Sequence, residues 1–209
     1  MNDLLFANLN VKQLDLERAR REIAQVPETC WFWDPYRAVW MLPLMTLDGK
    51  AGREGTRLAN SPSNSQFSWI DYTPISVQEY FETEIFSWLR PLPRIVVLKT
   101  PPGAANNEHI DCTRSEFGSL QHKFRLVLSG PIDSLYFITS RGRLFIPDTS
   151  LPYIIDGSWP HGMINDSSEE KITICAGAPW TGSSSYPPLC NYISKSDYSL
   201  PNDYERYFK

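Results

Sequence analysis

Three histidines occur in the 209 residues, His109, His122 and His161, and two of them stand where they could share a task with a carboxylate. His109-Ile110-Asp111 falls in a short β-like run. Side chains at i and i+2 of a strand point to one face, so the His109 imidazole and the Asp111 carboxylate can converge while Ile110 turns to the core. His161 comes fifty residues later, just past the turn-like Asp156-Gly157-Ser158-Trp159-Pro160. Two imidazoles and one carboxylate on one side of an ion form a facial ligand set suited to Fe(II), and they leave three positions open.

Lys171 follows His161 by ten residues and opens the run Lys171-Ile172-Thr173-Ile174-Cys175. A reversal at Asn165-Asp166-Ser167-Ser168 would put Lys171 on the neighbouring strand, where its ammonium could reach the far carboxylate of a metal-bound dicarboxylate. Arg125 sits inside the apolar run Phe124-Arg125-Leu126-Val127-Leu128. A charge in such a place is seldom buried without an anionic partner, and a dianion such as 2-oxoglutarate would supply one. Trp159, two residues before His161, is a candidate for a place near the substrate. So are Trp31 and Trp33 of the aromatic cluster Trp31-Phe32-Trp33-Asp34-Pro35-Tyr36-Arg37, read as a lid. Ordinary structural readings stand beside these: a hydrogen-bonded strand pair for His109 and Asp111, an internal ion pair for Arg125, a solvated strand-edge Lys171, core packing for the tryptophans. His122 reads as a surface residue and Cys112 as packing.

Strand-like and helix-like patterning must position these groups. Asp15 reads as the N-cap of a helix over residues 16–26, with Leu16, Ala19, Ile23 and Val26 on one face. Ser76 and Glu79 spell a capping box for a second helix that closes at Arg90-Pro91. Residues 48–64 read as a long loop. After Pro93, short β-rich runs alternate with turn residues: 94–99, 108–113, 123–128, 134–139, 143–146, 153–155 and 171–176. No helical crossover separates them, which disfavours a parallel sheet. The expectation is a single domain over 1–209, mainly β with N-terminal helices. A mixed part (1–92) leads into a jelly-roll core (93–180), and a tail (181–209) wraps the surface.

Composition narrows the classes. Lys and Arg number 20 against 24 Asp and Glu, for a net charge of −4. This excludes the broad basic face that a general nucleic-acid binder needs. There is no apolar run long enough for a membrane span. The four cysteines form no C-x-x-C pair, and without an export-like start they read as reduced thiols in the cytoplasm.

The segment from Ile155 through His161 to Lys171 resembles the distal metal-binding motif of the Fe(II)/2-oxoglutarate-dependent oxygenase superfamily. It is closest to the aspartyl/asparaginyl β-hydroxylase-like branch, which has an aspartate, a serine and an aromatic before the histidine and a basic residue ten after it. The resemblance covers His109 to Lys171. It implies a double-stranded β-helix of the cupin-like kind, with Fe(II), 2-oxoglutarate and O2 as cofactor and cosubstrates. It implies His109, Asp111 and His161 as metal ligands, and Lys171 and Arg125 as cosubstrate anchors. The activity implied is hydroxylation of an unactivated C–H bond in an amino acid, free or in a peptide or protein, or in a related small molecule. Two departures matter. Lys171 replaces the usual arginine, giving a point charge in place of a bidentate fork. Asp111 is present where the animal β-hydroxylase lacks the carboxylate, which favours hydroxylation over halogenation. Two other classes compete: a cupin-like metal enzyme that does not use 2-oxoglutarate, and a non-catalytic β-sandwich binding module.

Overall fold

Alternation along the strands sorts the side chains into an inner and an outer face. The computed structural model describes residues 3–56, 67–89, 94–117, 122–131, 134–147, 149–177 and 187–208. In chain order the strands are β1 (Leu4–Leu9), β2 (Phe32–Asp34), β3 (Val39–Leu47), β4 (Phe67–Trp69), β5 (Arg94–Thr100), β6 (Ala105–His109) and β7 (His122–Ser129). They continue with β8 (Leu135–Thr139), β9 (Gly142–Phe145), β10 (Tyr153–Asp156), β11 (His161–Ile164), β12 (Lys171–Gly177) and β13 (Leu189–Ser194). The helices are α1 (Leu16–Ala24), α2 (Gly52–Gly55) and α3 (Ile75–Tyr80), the last continued by a π-helical turn, Phe81–Ile85. A nine-stranded antiparallel sheet runs β13-β1-β10-β7-β12-β5-β3-β2, with β4 on β3, and faces a four-stranded sheet, β6-β11-β8-β9. This is a jelly roll carrying helices on the outer face of its larger sheet.

On β12 the outward set is Ile172, Ile174 and Ala176. It packs with Phe124, Leu126, Ile95 and Val97 of its neighbours and with Ala19, Ile23, Val77 and Phe81 from the helical segments. Each large apolar side chain so buried contributes roughly 1.5–3 kcal/mol. Lys171, Thr173 and Cys175 alternate with these and face inward. Between the sheets lie Val127, Tyr153 and Ile155 from the larger one and Leu135 and Phe137 from the smaller one, together with Trp159.

The expected strands after Pro93 form, with one shift of consequence. The run placed at 108–113 ends at His109, and the strand extends upstream from Ala105. The N-terminal part is richer in strand than its sequence suggests. All six residues of β1 are buried, so no polar alternation advertises the strand. β3 carries Pro43 at a register shift against β5, where a missing N–H is tolerated. Helix α1 starts as expected, with Arg18 N donating to Asp15 Oδ1 at 3.0 Å. The capping box at Ser76 does not form. Ser76 N and Oγ instead donate to Glu22 Oε2 of α1, at 2.9 and 2.7 Å, so a tertiary carboxylate caps α3. The helix stop at Arg90-Pro91 lies outside the described residues, as does the second half of the 48–64 loop. The tail is held by β13 on β1 and by buried Tyr207. Among the described residues no helix is long and apolar enough to cross a membrane.

Candidate metal centre

β6 and β11 are neighbours in the smaller sheet, and their register sets His109 directly opposite His161. Both imidazoles are almost fully buried, at 3% and 2% exposure, with ring centroids 4.6 Å apart. Asp111 arrives differently from the i, i+2 strand geometry. The chain leaves β6 after His109, and the following segment is pinned by Ile110 N donating to Tyr207 O and Asp111 N donating to Gly157 O, each at 2.8 Å. Ile110 turns into a core with Cys112 and Tyr136, and the Asp111 carboxylate turns to the histidines. Its Oδ1 lies 3.4 Å from His109 Nε2 and its Oδ2 3.3 Å from His161 Nε2.

The loop delivering His161 is shaped by Asp156, whose Oδ1 accepts from Ser158 N at 2.8 Å and Ser158 Oγ at 2.7 Å. Trp159 and Pro160 clamp it further: Trp159 Nε1 donates to Ile138 O at 2.9 Å, and Ile138 N to Pro160 O at 2.8 Å.

Hydrogen bonding settles which ring nitrogens are available. His109 Nδ1 is 2.6 Å from Asn107 O, and His161 Nδ1 is 2.8 Å from Trp159 O. A carbonyl oxygen can only accept, so both Nδ1 atoms carry the proton and both neutral rings present an Nε2 lone pair. His161 Nε2 is buried without a hydrogen-bond partner among the described residues. Ligands about 2.1 Å from one ion, at right angles, lie roughly 3 Å from one another. The two histidine–carboxylate separations, 3.4 Å to Oδ1 and 3.3 Å to Oδ2, are close to that spacing, and one ligand atom from each of the three residues lies within 4.8 Å of the others, so the set fits a divalent metal. Among the described residues they are also the one group of three ligand-type side chains whose ligand atoms all lie within 4.8 Å of each other.

No protein-family model matches the sequence, and no curated protein is significantly similar to it. Solved structures are similar in shape. An oxidoreductase of the 2OG-Fe(II) oxygenase family from Burkholderia pseudomallei aligns at TM-score 0.53 and 11% identity, over 83% of this chain and 82% of its own. A prolyl hydroxylase from Trichoplax adhaerens, in complex with a hypoxia-inducible-factor peptide fragment, aligns at TM-score 0.50 and 10% identity, over 85% and 83%. The fold is that of the 2OG-Fe(II) oxygenases.

Within this oxygenase fold, Asp111 has a further neighbour that the sequence did not single out. Lys123 Nζ sits 2.5 Å from Asp111 Oδ2. Burial alone would raise the Asp111 pKa. The Lys123 ammonium outweighs it and holds the carboxyl well below the usual range. The same burial pushes the Lys123 ammonium down to about 8 despite Asp111.

Lys171 is 1% exposed and points between the sheets, its Nζ hydrogen-bonded to Ser134 Oγ. The Asn165 side chain ties the preceding turn, donating to Thr100 O, Pro101 O and Glu169 O at 2.8–3.2 Å. Gly130, at φ +83°, lets the end of β7 pass this point. A Cβ there would lie 2.7 Å from both Lys171 Cα and Glu170 O.

Arg125 does not join Lys171. The register pairs Arg125 with Cys175, four residues along β12 from Lys171, or about 13 Å at strand rise. The two cations expected to share one carboxylate thus start from different positions along the interior face of the sheet. Arg125 Nη1 donates to Cys175 Sγ at 2.9 Å. It lines a cavity of about 40 Å³ with His109, Asp111, Lys123, Arg94 and Arg37.

The tryptophans also differ from expectation. Phe32 pairs with Met41 and faces the interior. The alternating residues Trp31 and Trp33 therefore lie on the other side of the sheet, Trp31 under Lys99 and Trp33 against Trp40. Neither lines the metal cavity. The Trp159 ring belongs to the core between the sheets, and its backbone carbonyl is what serves the site. From the same aromatic segment it is Tyr36 that stands near the triad, its ring edge-on to His109 with centroids 6.3 Å apart. His122 is buried at 1% exposure, not on the surface, because the β7–β10 register sets it opposite Asp156.

Proposed function

We propose that this chain is an Fe(II)- and 2-oxoglutarate-dependent hydroxylase. The observation carrying the reading is the pair of buried imidazoles whose Nδ1 protons are committed to carbonyls, so that both Nε2 lone pairs meet one buried carboxylate. His109, Asp111 and His161 would hold the iron. Bound there, iron with 2-oxoglutarate and O2 supplies oxidative decarboxylation to succinate and CO2, coupled to hydroxylation of a C–H bond. The chain's own residues bind, orient and keep water out. Asn107 O and Trp159 O fix the ring orientations. Lys171, buried beside Ser134, would receive the distal carboxylate of 2-oxoglutarate. Met41, Val96 and Leu98 line the cavity with apolar surface, which strengthens charge pairing within it.

The substrate is proposed to be an amino acid, free or in a peptide. The motif resemblance to the aspartyl/asparaginyl branch and the peptide bound by the Trichoplax prolyl hydroxylase support that choice. The test is anaerobic addition of Fe(II) and 2-oxoglutarate, watching for the weak visible charge-transfer band of the chelate. The band is expected in the wild type and absent in His161→Ala. A wild type that shows no band at saturating ligand refutes the proposal.

A further inference from the structure

Four cations line the cavity beside the candidate ligands: Arg37, Arg94, Lys123 and Arg125. They come from three places in the chain, and the sheet brings them together. β12 carries the junction, with Gly177 opposite Arg94 on β5 and Cys175 opposite Arg125 on β7. Arg37 enters from the β2–β3 turn and is neutralised by Asp34 at 2.7 Å. Lys123 is on Asp111. Arg94 and Arg125 have no carboxylate among the described residues. Arg94 Nη1 donates to Thr56 O at 2.6 Å, and Arg125 Nη1 to the Cys175 sulfur. The Nε atoms of both guanidiniums are shut off from solvent with no hydrogen-bond partner there. A guanidinium keeps its charge at any physiological pH, and a buried charge without a counter-ion costs several kcal/mol.

The proposed metal and cosubstrate do not supply that counter-ion. A divalent cation would be offset by Asp111 and by the carboxylate of 2-oxoglutarate that binds it. The other carboxylate would go to Lys171, four residues along β12 from the position opposite Arg125 and six from the one opposite Arg94. Lys123, Arg94 and Arg125 are left over. The space they enclose, about 40 Å³, is roughly three times what one water needs. That suits an anionic head group and not a whole substrate.

We infer that Arg94, Lys123 and Arg125 form an anion-binding subsite beside the metal centre, which receives a carboxylate or phosphate group of the substrate. The inference rests on the hydroxylase reading for the word substrate, and on the cation geometry alone for the anion. It places a negatively charged group of the substrate among these three cations. The carbon to be oxidised then lies on the side of that group where His109 and Asp111 line the same cavity. Arg125 thereby becomes a substrate-binding residue in place of a cosubstrate anchor.

Equilibrium dialysis of the Mn(II)-loaded protein tests this with two labelled probes, sulfate and 2-oxoglutarate. Wild type is expected to bind one equivalent of sulfate saturably with 2-oxoglutarate already bound. Arg94→Gln and Arg125→Gln are expected to weaken sulfate at least tenfold while changing 2-oxoglutarate affinity less than threefold. Arg125→Lys keeps the charge but loses the fork, and is expected to fall between Arg125→Gln and wild type. Absence of saturable sulfate binding in wild type overturns the inference without need of any variant. So does sulfate affinity that is the same in all the proteins. Displacement of sulfate by 2-oxoglutarate, or loss of 2-oxoglutarate binding in Arg125→Gln, overturns it in favour of a cosubstrate role for the cations. If no protein binds 2-oxoglutarate, the hydroxylase reading falls, and the sulfate measurement still decides the anion subsite.

Discussion

Replacing Lys171 by methionine isolates the proposed cosubstrate anchor from the rest of the site. The side chain is 1% exposed, and Ser134 Oγ is among its hydrogen-bond partners. A bound carboxylate would therefore meet a charge already out of water. Removing one partner of such a buried pair costs about 2–5 kcal/mol, of which 2 kcal/mol is roughly thirtyfold in Kd. The effect is readable as thermal stability. At a 2-oxoglutarate concentration one hundred times the wild-type Kd, binding stabilises the wild type by about 2.7 kcal/mol, and a thirtyfold weaker variant by about 0.9 kcal/mol. For a chain of this length each kcal/mol moves Tm by about 2–4 °C. The ligand-induced rise is thus expected to fall from about 5–10 °C to about 2–4 °C. Methionine has nearly the volume of lysine, so the packing is kept and the ligand-free Tm of the variant serves as its own baseline. Scanning calorimetry of the Mn(II)-loaded proteins with and without 2-oxoglutarate measures both quantities. An undiminished ligand-induced shift in the variant refutes the placement of the anchor.

His161→Gln removes an Nε2 that is buried without a hydrogen-bond partner among the described residues and is expected to weaken Fe(II) or Mn(II) binding at least a hundredfold by isothermal titration. Unchanged affinity would show that the ion binds elsewhere. Burial pushes His122 down to about 4 against the partial compensation of Asp156. In the unfolded chain it titrates near 6.5, so the unfolded state binds more protons between those values. Stability is then complete above pH 6.5 and is lost as pH falls toward 4, by about 2.5 kcal/mol at pH 4.5. Urea unfolding of wild type and His122→Gln at pH 7.5 and 4.5 is expected to show a smaller acid loss in the variant, by roughly that amount; parallel losses would contradict it. Gly130→Ala forces a Cβ to 2.7 Å from Lys171 Cα at a φ of +83°. It is expected to cost about 1–2 kcal/mol from the left-handed backbone alone, lowering Tm by several degrees and loosening 2-oxoglutarate. An unaltered Tm would mean that β7 and β12 can separate freely at this point.

How much of this was legible beforehand follows from the range of each signal. The triad was readable because its members are encoded locally. His109 and Asp111 lie within three residues, and the Asp156-Gly157-Ser158 turn that delivers His161 is a short-range hydrogen-bond pattern. The turn before Lys171 is equally local, held by Asn165. The strands after Pro93 were legible from alternation and punctuation. β1 was not, because a strand buried along its whole length loses the alternation that marks one. The α3 cap was misread because the carboxylate that wins, Glu22, lies 54 residues away.

The amino-acid order alone determined that two imidazoles, a carboxylate and a lysine were spaced for metal and dicarboxylate chemistry on a β framework. Register between strands decided the rest. It set Cys175 beside Arg125 and Gly177 beside Arg94, gathering cations from distant segments around one cavity. It turned Phe32 inward and so sent Trp31 and Trp33 to the opposite face. A shift of one residue in either pairing exchanges every inward side chain for its neighbour. Such long-range pairing leaves no trace in local spacing, so only the folded sheet fixes it.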